Sequence, residues 1–228
     1  MGNPGHAVEL IRQLALWSVP LLLAVIAHEV AHGVVALRLG DETALRAGRL
    51  TLNPLPHIDP IGTVVLPAIL LLAGAPVFGY ARPVPVNYAN LRDPRRGMVL
   101  VALAGPLTNV VLAILSALVF HAILSYLETI DATPADFNVR LASWVLIPLG
   151  LMAKISVHMN VVLGIFNLLP IPPLDGGHVL TGLLPYALAR RVAAIQPFGF
   201  MILMALLMTR SIGAVLDAPV RLLLRVLL

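Results

Sequence analysis

The run Leu14-Ala15-Leu16-Trp17-Ser18-Val19-Pro20-Leu21-Leu22-Leu23-Ala24-Val25-Ile26-Ala27-His28-Glu29-Val30-Ala31-His32-Gly33-Val34-Val35-Ala36-Leu37 decides the fold. It exceeds the ~20 apolar residues that a helix needs to cross a bilayer. Its only ionisable side chains are His28, Glu29 and His32. Residues four apart share one face of a helix, so the two imidazoles can meet one metal ion while Glu29 lies beside them as a base for a metal-bound water. A lone buried histidine reads as a satisfied core residue, and a lone glutamate in a span as a helix-pairing contact. Three such groups at metal-ligand spacing, at a depth where polar groups are costly, mark hydrolytic chemistry within a membrane.

Composition agrees with that setting. Hydrophobic residues are 59% of the 228-residue chain, charged residues 11%, and the mean hydropathy is +0.95. A soluble domain carries about 25% charged residues. The expectation is an all-α polytopic membrane protein, one integral domain over residues 1–228 with no room for a separate soluble module. Cysteine is absent, so a metal must take histidine, carboxylate or water ligands. The net charge of +4 comes from arginine almost alone, Lys154 being the single lysine. Arginines at span ends set topology, so membrane lipid and no nucleic acid is expected around the chain. Oligomeric state is not encoded in any visible signal.

The first apolar run has no small-residue cleavage site ahead of the polar stretch, and is expected to stay as a first span over about 14–39 with Gly40 as its C-cap. Residues 41–60 are turn-rich, with Asn53-Pro54, Pro56 and Pro60. The apolar segment 61–79 is interrupted by Pro67, Gly74 and Pro76 and flanked by arginines on both sides, Arg46 and Arg49 before it and Arg82, Arg92, Arg95 and Arg96 after it. A full crossing would put one cluster on the wrong side, so re-entry to one face is expected. A second span is expected over about 97–125. Glu128, Asp131 and Asp136 then mark an outer loop. A third span over about 141–169 is long enough to be tilted or broken around Lys154. After Arg190 and Arg191, residues 197–228 hold one further span or a hairpin, and Arg210 leaves the count open. The leucine-rich spans should pack through small residues, since no heptad pattern is sustained.

A catalytic zinc site usually has three protein ligands and an open water position. The third candidate is Asp175, in Asn167-Leu168-Leu169-Pro170-Ile171-Pro172-Pro173-Leu174-Asp175-Gly176-Gly177. This proline- and glycine-rich stretch cannot continue a helix, and irregular backbone beside lipid must be buried in protein or line a wet cavity. Alone, Asp175 reads as a turn residue capping a helix that begins near Gly177. Together with the histidine pair it reads as a ligand.

The ordered set of HEVAH at 28–32, Gly105-Pro106-Leu107-Thr108-Asn109 in the second span and Asn167 to Asp175 beyond the third resembles the site-2 proteases, intramembrane zinc metallopeptidases, over residues 14–185. The stretches Leu52-Asn53-Pro54-Leu55-Pro56-His57-Ile58-Asp59-Pro60-Ile61-Gly62-Thr63 and Gly79-Tyr80-Ala81-Arg82-Pro83-Val84-Pro85-Val86-Asn87 are similar to the compact prokaryotic subgroup without PDZ or CBS modules. The resemblance implies one zinc ion held by His28, His32 and Asp175, with Glu29 as general base. It implies that Asn167 assists the developing oxyanion and that Asn109 is a further family position. Interhelical hydrogen bonds are the alternative for both asparagines. The implied substrate is a transmembrane segment of a client protein, unwound and held extended near residues 45–57 or 79–87. The implied location is a prokaryotic cell membrane with the site toward the cytoplasm. The ligand types also fit iron and cobalt.

His57 and Asp59 could add hydrogen bonds or a metal contact, although turn chemistry explains an Asp-Pro pair equally well. His121, His158 and His178 read as hydrogen-bonded packing histidines, His6 as a solvated terminal residue, and Lys154 as a side chain that snorkels or pairs with a carboxylate. Two rival functions use the same residues: a catalytically silent membrane protein that binds a metal or client, and a zinc transporter. A pure binder has no use for Glu29, and transport would favour repeated ligand clusters or inverted repeats, which the sequence lacks.

Overall fold

The structure is a computed structural model that describes residues 4–72, 79, 81–129, 139–140, 142–209 and 211–228. Gly74, Pro76, Tyr80, Asp131, Asp136 and Arg210 lie outside the described residues, as does the side chain of His6. The described residues are helical with no strand. Helix α1 spans Pro4–Arg38 and the short α2 Thr43–Arg46. A π-helical turn, Pro60–Val65, leads into α3, Leu66–Leu72. Helix α4 spans Pro94–Leu127 and α5 Ile147–Asn167, the latter entered through a π-helical turn at Ala142–Leu146. Four helices follow: α6 Asp175–Leu183, α7 Tyr186–Ile195, α8 Gly199–Met208 and α9 Ser211–Leu227.

Among the described residues, four helical segments are long and apolar enough to cross a membrane: Arg12–Arg38, Pro94–Leu127, Trp144–Asn167 and Tyr186–Met208. The first three form the core, each packed against the other two, with α4 and α5 the closest pair. The facing positions are small: Ala24 and Ala36 on α1, Ala102, Ala113 and Ala117 on α4, Ala153 and Gly164 on α5. Apolar attraction between helices is weak in lipid, so close backbone approach through small residues has to supply the contact. The outer face of α4 presents Leu100, Leu107, Val111, Leu115 and Leu118, a helical stripe left for acyl chains.

Helix ends follow local chemistry. Gly40, at φ +112°, closes α1 with the paired bonds of a Schellman motif, its own N–H to Leu37 O (3.1 Å) and Asp41 N–H to Ala36 O (2.9 Å). Asp93 caps α4 by accepting from Arg96 N–H at 3.1 Å, with Pro94 in the first turn.

Three boundaries differ from the sequence reading. The third span is not broken at Lys154: α5 runs through it, because the ammonium lies over the Phe120 ring, 5.7 Å from its centroid, and stays exposed. The irregular turn comes earlier, at Ala142–Leu146. The last candidate span starts at Tyr186 and carries Arg190 and Arg191, ahead of the expected 197, with α7 and α8 joined by the 3-10 turn Gln196–Phe198. Helix α9 returns as the second leg and packs its Val220, Leu224 and Leu227 against Ala113, Ala117, Val157 and Val161.

Candidate metal centre

The HEVAH residues sit about 9 Å along α1 from its C-terminal end, at 1.5 Å per residue. His28 and His32 are buried, at 6% and 8% exposure. Their Nε2 atoms are 3.1 Å apart. Asp175, the first residue of α6, brings Oδ2 to 3.1 Å from His28 Nε2 and Oδ1 to 3.3 Å from His32 Nε2. Among the described residues, these three side chains form the group able to hold a metal.

Proton positions make this convergence informative. His28 Nδ1 lies 2.6 Å from Asn109 Oδ1, and His32 Nδ1 lies 2.6 Å from the carbonyl oxygen of Val101. Both oxygens only accept, so each Nδ1 carries a proton, and in the neutral form each ring aims its Nε2 lone pair at Asp175. Asp175 Oδ2 is buried without a hydrogen-bond partner. With both rings neutral, two lone pairs and a carboxylate face one another, an arrangement that fits a cation. Two nitrogens and a carboxylate are also a familiar donor set for zinc.

The surroundings shape that gap. A Cβ on Gly105 would lie 2.5 Å from His28 Cε1 and 2.5 Å from His32 Nε2, so only glycine lets α4 back the imidazoles this closely. Pro106 follows, and its missing N–H leaves Ala102 O, one residue after Val101, without its usual helical donor.

Glu29 points elsewhere. Its Oε2 accepts from Val84 N–H at 2.8 Å, and it lines a cavity of 540 Å³ together with His28, Asn167, Phe166, Phe200 and Leu203. Val84 reaches it by packing over Gly33, where a Cβ would lie 2.9 Å from Val84 Cγ1. The extended stretch around Val84 is fastened on both sides. Buried Arg49 donates to the carbonyls of Pro56, Arg82 (2.6 Å) and Pro83 (3.2 Å), and Asp41 accepts from Asn87 N–H (2.8 Å) and Asn90 Nδ2 (2.9 Å). Asn167 stands on the cavity wall, and its Nδ2 donates to Leu163 O at 3.0 Å.

Asn109 is fully buried behind His28, away from the cavity lining, and its Nδ2 donates to Asn160 Oδ1 at 2.8 Å and Ala24 O at 3.3 Å. Asp59 caps the π-helical turn through Ile61 and Gly62 N–H, and His57 Nε2 bonds Thr51 O at 2.9 Å; neither belongs to the metal group. His121 meets Leu227 O, His158 meets Lys154 O, and His178 lies near Tyr88 and Gln196. Sequence reasoning missed Asn160, a polar residue in an apolar span that could have been flagged on that ground. It also missed Val84 and Val101, which act through main-chain atoms and so give no side-chain signal.

Fold and site together define a membrane-embedded metallohydrolase built on a His-Glu-x-x-His helix. The sequence profile of peptidase family M50 matches residues 16–209, and the chain belongs to that family, the site-2 zinc metalloproteases. Among its relatives, YwhC of Bacillus subtilis is 35% identical over 84% of this chain and 79% of its own length. Rip2 of Mycolicibacterium smegmatis is 31% identical over 84% of this chain and 66% of its own, and Rip2 of Mycobacterium tuberculosis is 27% identical over 91% and 71%. Each is described as a candidate zinc metalloprotease. No solved structure matches the chain.

Proposed function

We propose that the protein is an intramembrane zinc endopeptidase that cleaves transmembrane segments of client membrane proteins, its single catalytic domain filling residues 1–228. The observation that carries this is the meeting of the His28 and His32 Nε2 atoms with the Asp175 carboxylate at one edge of a cavity that also holds Glu29 and Asn167. His28, His32 and Asp175 would hold one zinc ion, which when bound polarises a carbonyl and acidifies a water. Glu29 keeps Oε2 on Val84 N–H, so Oε1 takes the proton from the attacking water and later returns it to the leaving amine. Asn167 lines the cavity, and its amide can meet the oxygen on which charge develops. Asn109 acts on His28 and not on substrate. A helical substrate must unwind before attack, and the extended stretch 81–87, fixed by Arg49 and Asp41, is a platform beside Glu29 for holding it.

The site lies toward the cytoplasm in this reading. Arg92 N–H bonds Leu39 O at 3.0 Å, so the end of α1 and the approach to α4 are tied together, and both carry arginines. The apolar helix between them, Pro60–Leu70, is about 16 Å long, half the ~30 Å hydrocarbon core, which favours re-entry over crossing. Labelled cysteines near Arg49 and Arg92 should both report the cytoplasm and one near Asp131 the opposite side. Opposite labelling of the first two would mean a full crossing.

The test of function is cleavage of a transmembrane-helix substrate by the purified protein in nanodiscs. Hydrolysis should stop on chelation, return with zinc and be absent from Glu29→Gln. Zinc binding without hydrolysis in the wild type would leave a binding protein, and zinc flux into vesicles a transporter.

A further inference from the structure

A buried chain of polar groups runs behind His28 across the helix core. We infer that Asn160, on α5, is a positioning residue that decides which ring nitrogen of His28 faces the metal, acting through Asn109. The inference rests on the metal site proposed above.

A carboxamide donates at one end and accepts at the other, so a row of them transmits direction. The row starts at the main-chain carbonyl of Ser156, which can only accept and takes an N–H from Asn160 Nδ2 at 2.9 Å. That bond turns Asn160 Oδ1 toward Asn109, whose Nδ2 donates to it at 2.8 Å and to Ala24 O at 3.3 Å. Asn109 Oδ1 is thereby left facing His28 Nδ1 at 2.6 Å, and the proton must sit on Nδ1. Nε2 keeps its lone pair for the metal. A reversed Asn109 would present N–H to Nδ1, move the ring proton to Nε2 and aim it at Asp175 and His32.

His32 has no need of such a relay, because Val101 O is a main-chain acceptor that cannot reverse. The two histidines therefore differ: one tautomer is fixed by a backbone carbonyl directly, the other through two side chains that are themselves oriented by the carbonyls of Ala24 and Ser156. Asn109 and Asn160 are 0% and 1% exposed, so water is not at hand to replace either. Two buried amides in adjacent spans would be a poor choice for packing alone, since every unpaired group costs in lipid.

The experiment measures zinc affinity by chelator competition on the full chain in nanodiscs, for wild type, His28→Ala, Asn160→Leu and Asn160→Asp. Asn160→Leu should weaken binding by about tenfold or more, as loss of a ligand's supporting hydrogen bond does. Asn160→Asp should stay near wild type, because a buried carboxyl remains protonated and offers C=O to Asn109 and O–H to Ser156 O. Nitrogen-15 shifts of the metal-free wild type should show His28 protonated on Nδ1, a readout that needs no variant. Wild-type affinity in Asn160→Leu, equal weakening in the Leu and Asp variants, or an Nε2–H tautomer in the wild type would each overturn the inference. Unchanged zinc affinity in His28→Ala would instead overturn the metal site itself.

Discussion

Behind the imidazole pair, toward α4, everything is tight: Nδ1 atoms 2.6 Å from their acceptors, Gly105 against both rings and Asn109 fully buried. In front of the pair the arrangement is loose. Glu29 is held by one main-chain N–H, and the space beside it is a 540 Å³ cavity walled largely by apolar side chains. The rear fixes ligands that must not move, and the front leaves room for a substrate and for proton transfer. Metal binding and turnover should therefore separate by mutation.

The sharpest separation sets Glu29→Gln against Asp175→Ala. The first should lower cleavage by about 10²- to 10⁴-fold with zinc content near wild type, since a base is lost and no ligand is touched. The second should lose zinc and activity together. Substantial cleavage by Glu29→Gln, or full zinc retention by Asp175→Ala, would break the division between front and rear. Gly105→Ala tests the rear by shape alone: its methyl would meet rigid imidazole atoms at 2.5 Å, and zinc affinity should fall by about tenfold. Unchanged affinity in chelator competition would mean that α4 shifts to make room, and that the rear is less tight than described.

The smallest effect concerns the strap that carries Val84. Asp41 is buried, which pushes its carboxyl up, but bonds from Thr43, Asn90 and Asn87 outweigh this and hold it below the ordinary carboxylate value. Its contribution is therefore complete above the unfolded value of about 3.9 and fades as pH falls through the lower folded value. Thermal midpoints of the wild type should drop between about pH 4 and lower pH by a few degrees more than those of Asp41→Asn. Parallel curves would show that Asp41 does not fasten the strap.

The helical membrane class was legible from hydropathy alone, and the ligand candidates from spacing, because an i, i+4 pair names its own geometry. Asp175 was legible only by joining two distant motifs, since no local rule connects residue 175 to residue 28. Asn160 escaped because a lone asparagine in a span reads equally well as helix pairing, and only coordinates show that it leads to a ligand. Val101, Val84 and Gly105 act through a carbonyl, an N–H and a missing methyl, none of which side-chain chemistry advertises. The length of the third span suggested a tilt or a break around Lys154, and of these the break is absent, since α5 runs through that residue with its ammonium over the Phe120 ring.

The nine-residue α6 can be viewed mechanically, as a stiff rod of about 13 Å with Asp175 at one end. Its far end is gripped by Arg95, which donates to the carbonyls of Gly182, Leu183 and Leu184. Its near end is wedged, since a Cβ on Gly176 would lie 2.3 Å from the carbonyl oxygens of both Leu168 and Leu169. The wedge is the fulcrum and the carboxylate sits beside it. Held at both ends, the rod gives movement of α7 and α8, where the chain continues, little leverage on Asp175. A shift of the neighbouring helices therefore need not drag that carboxylate off its mark.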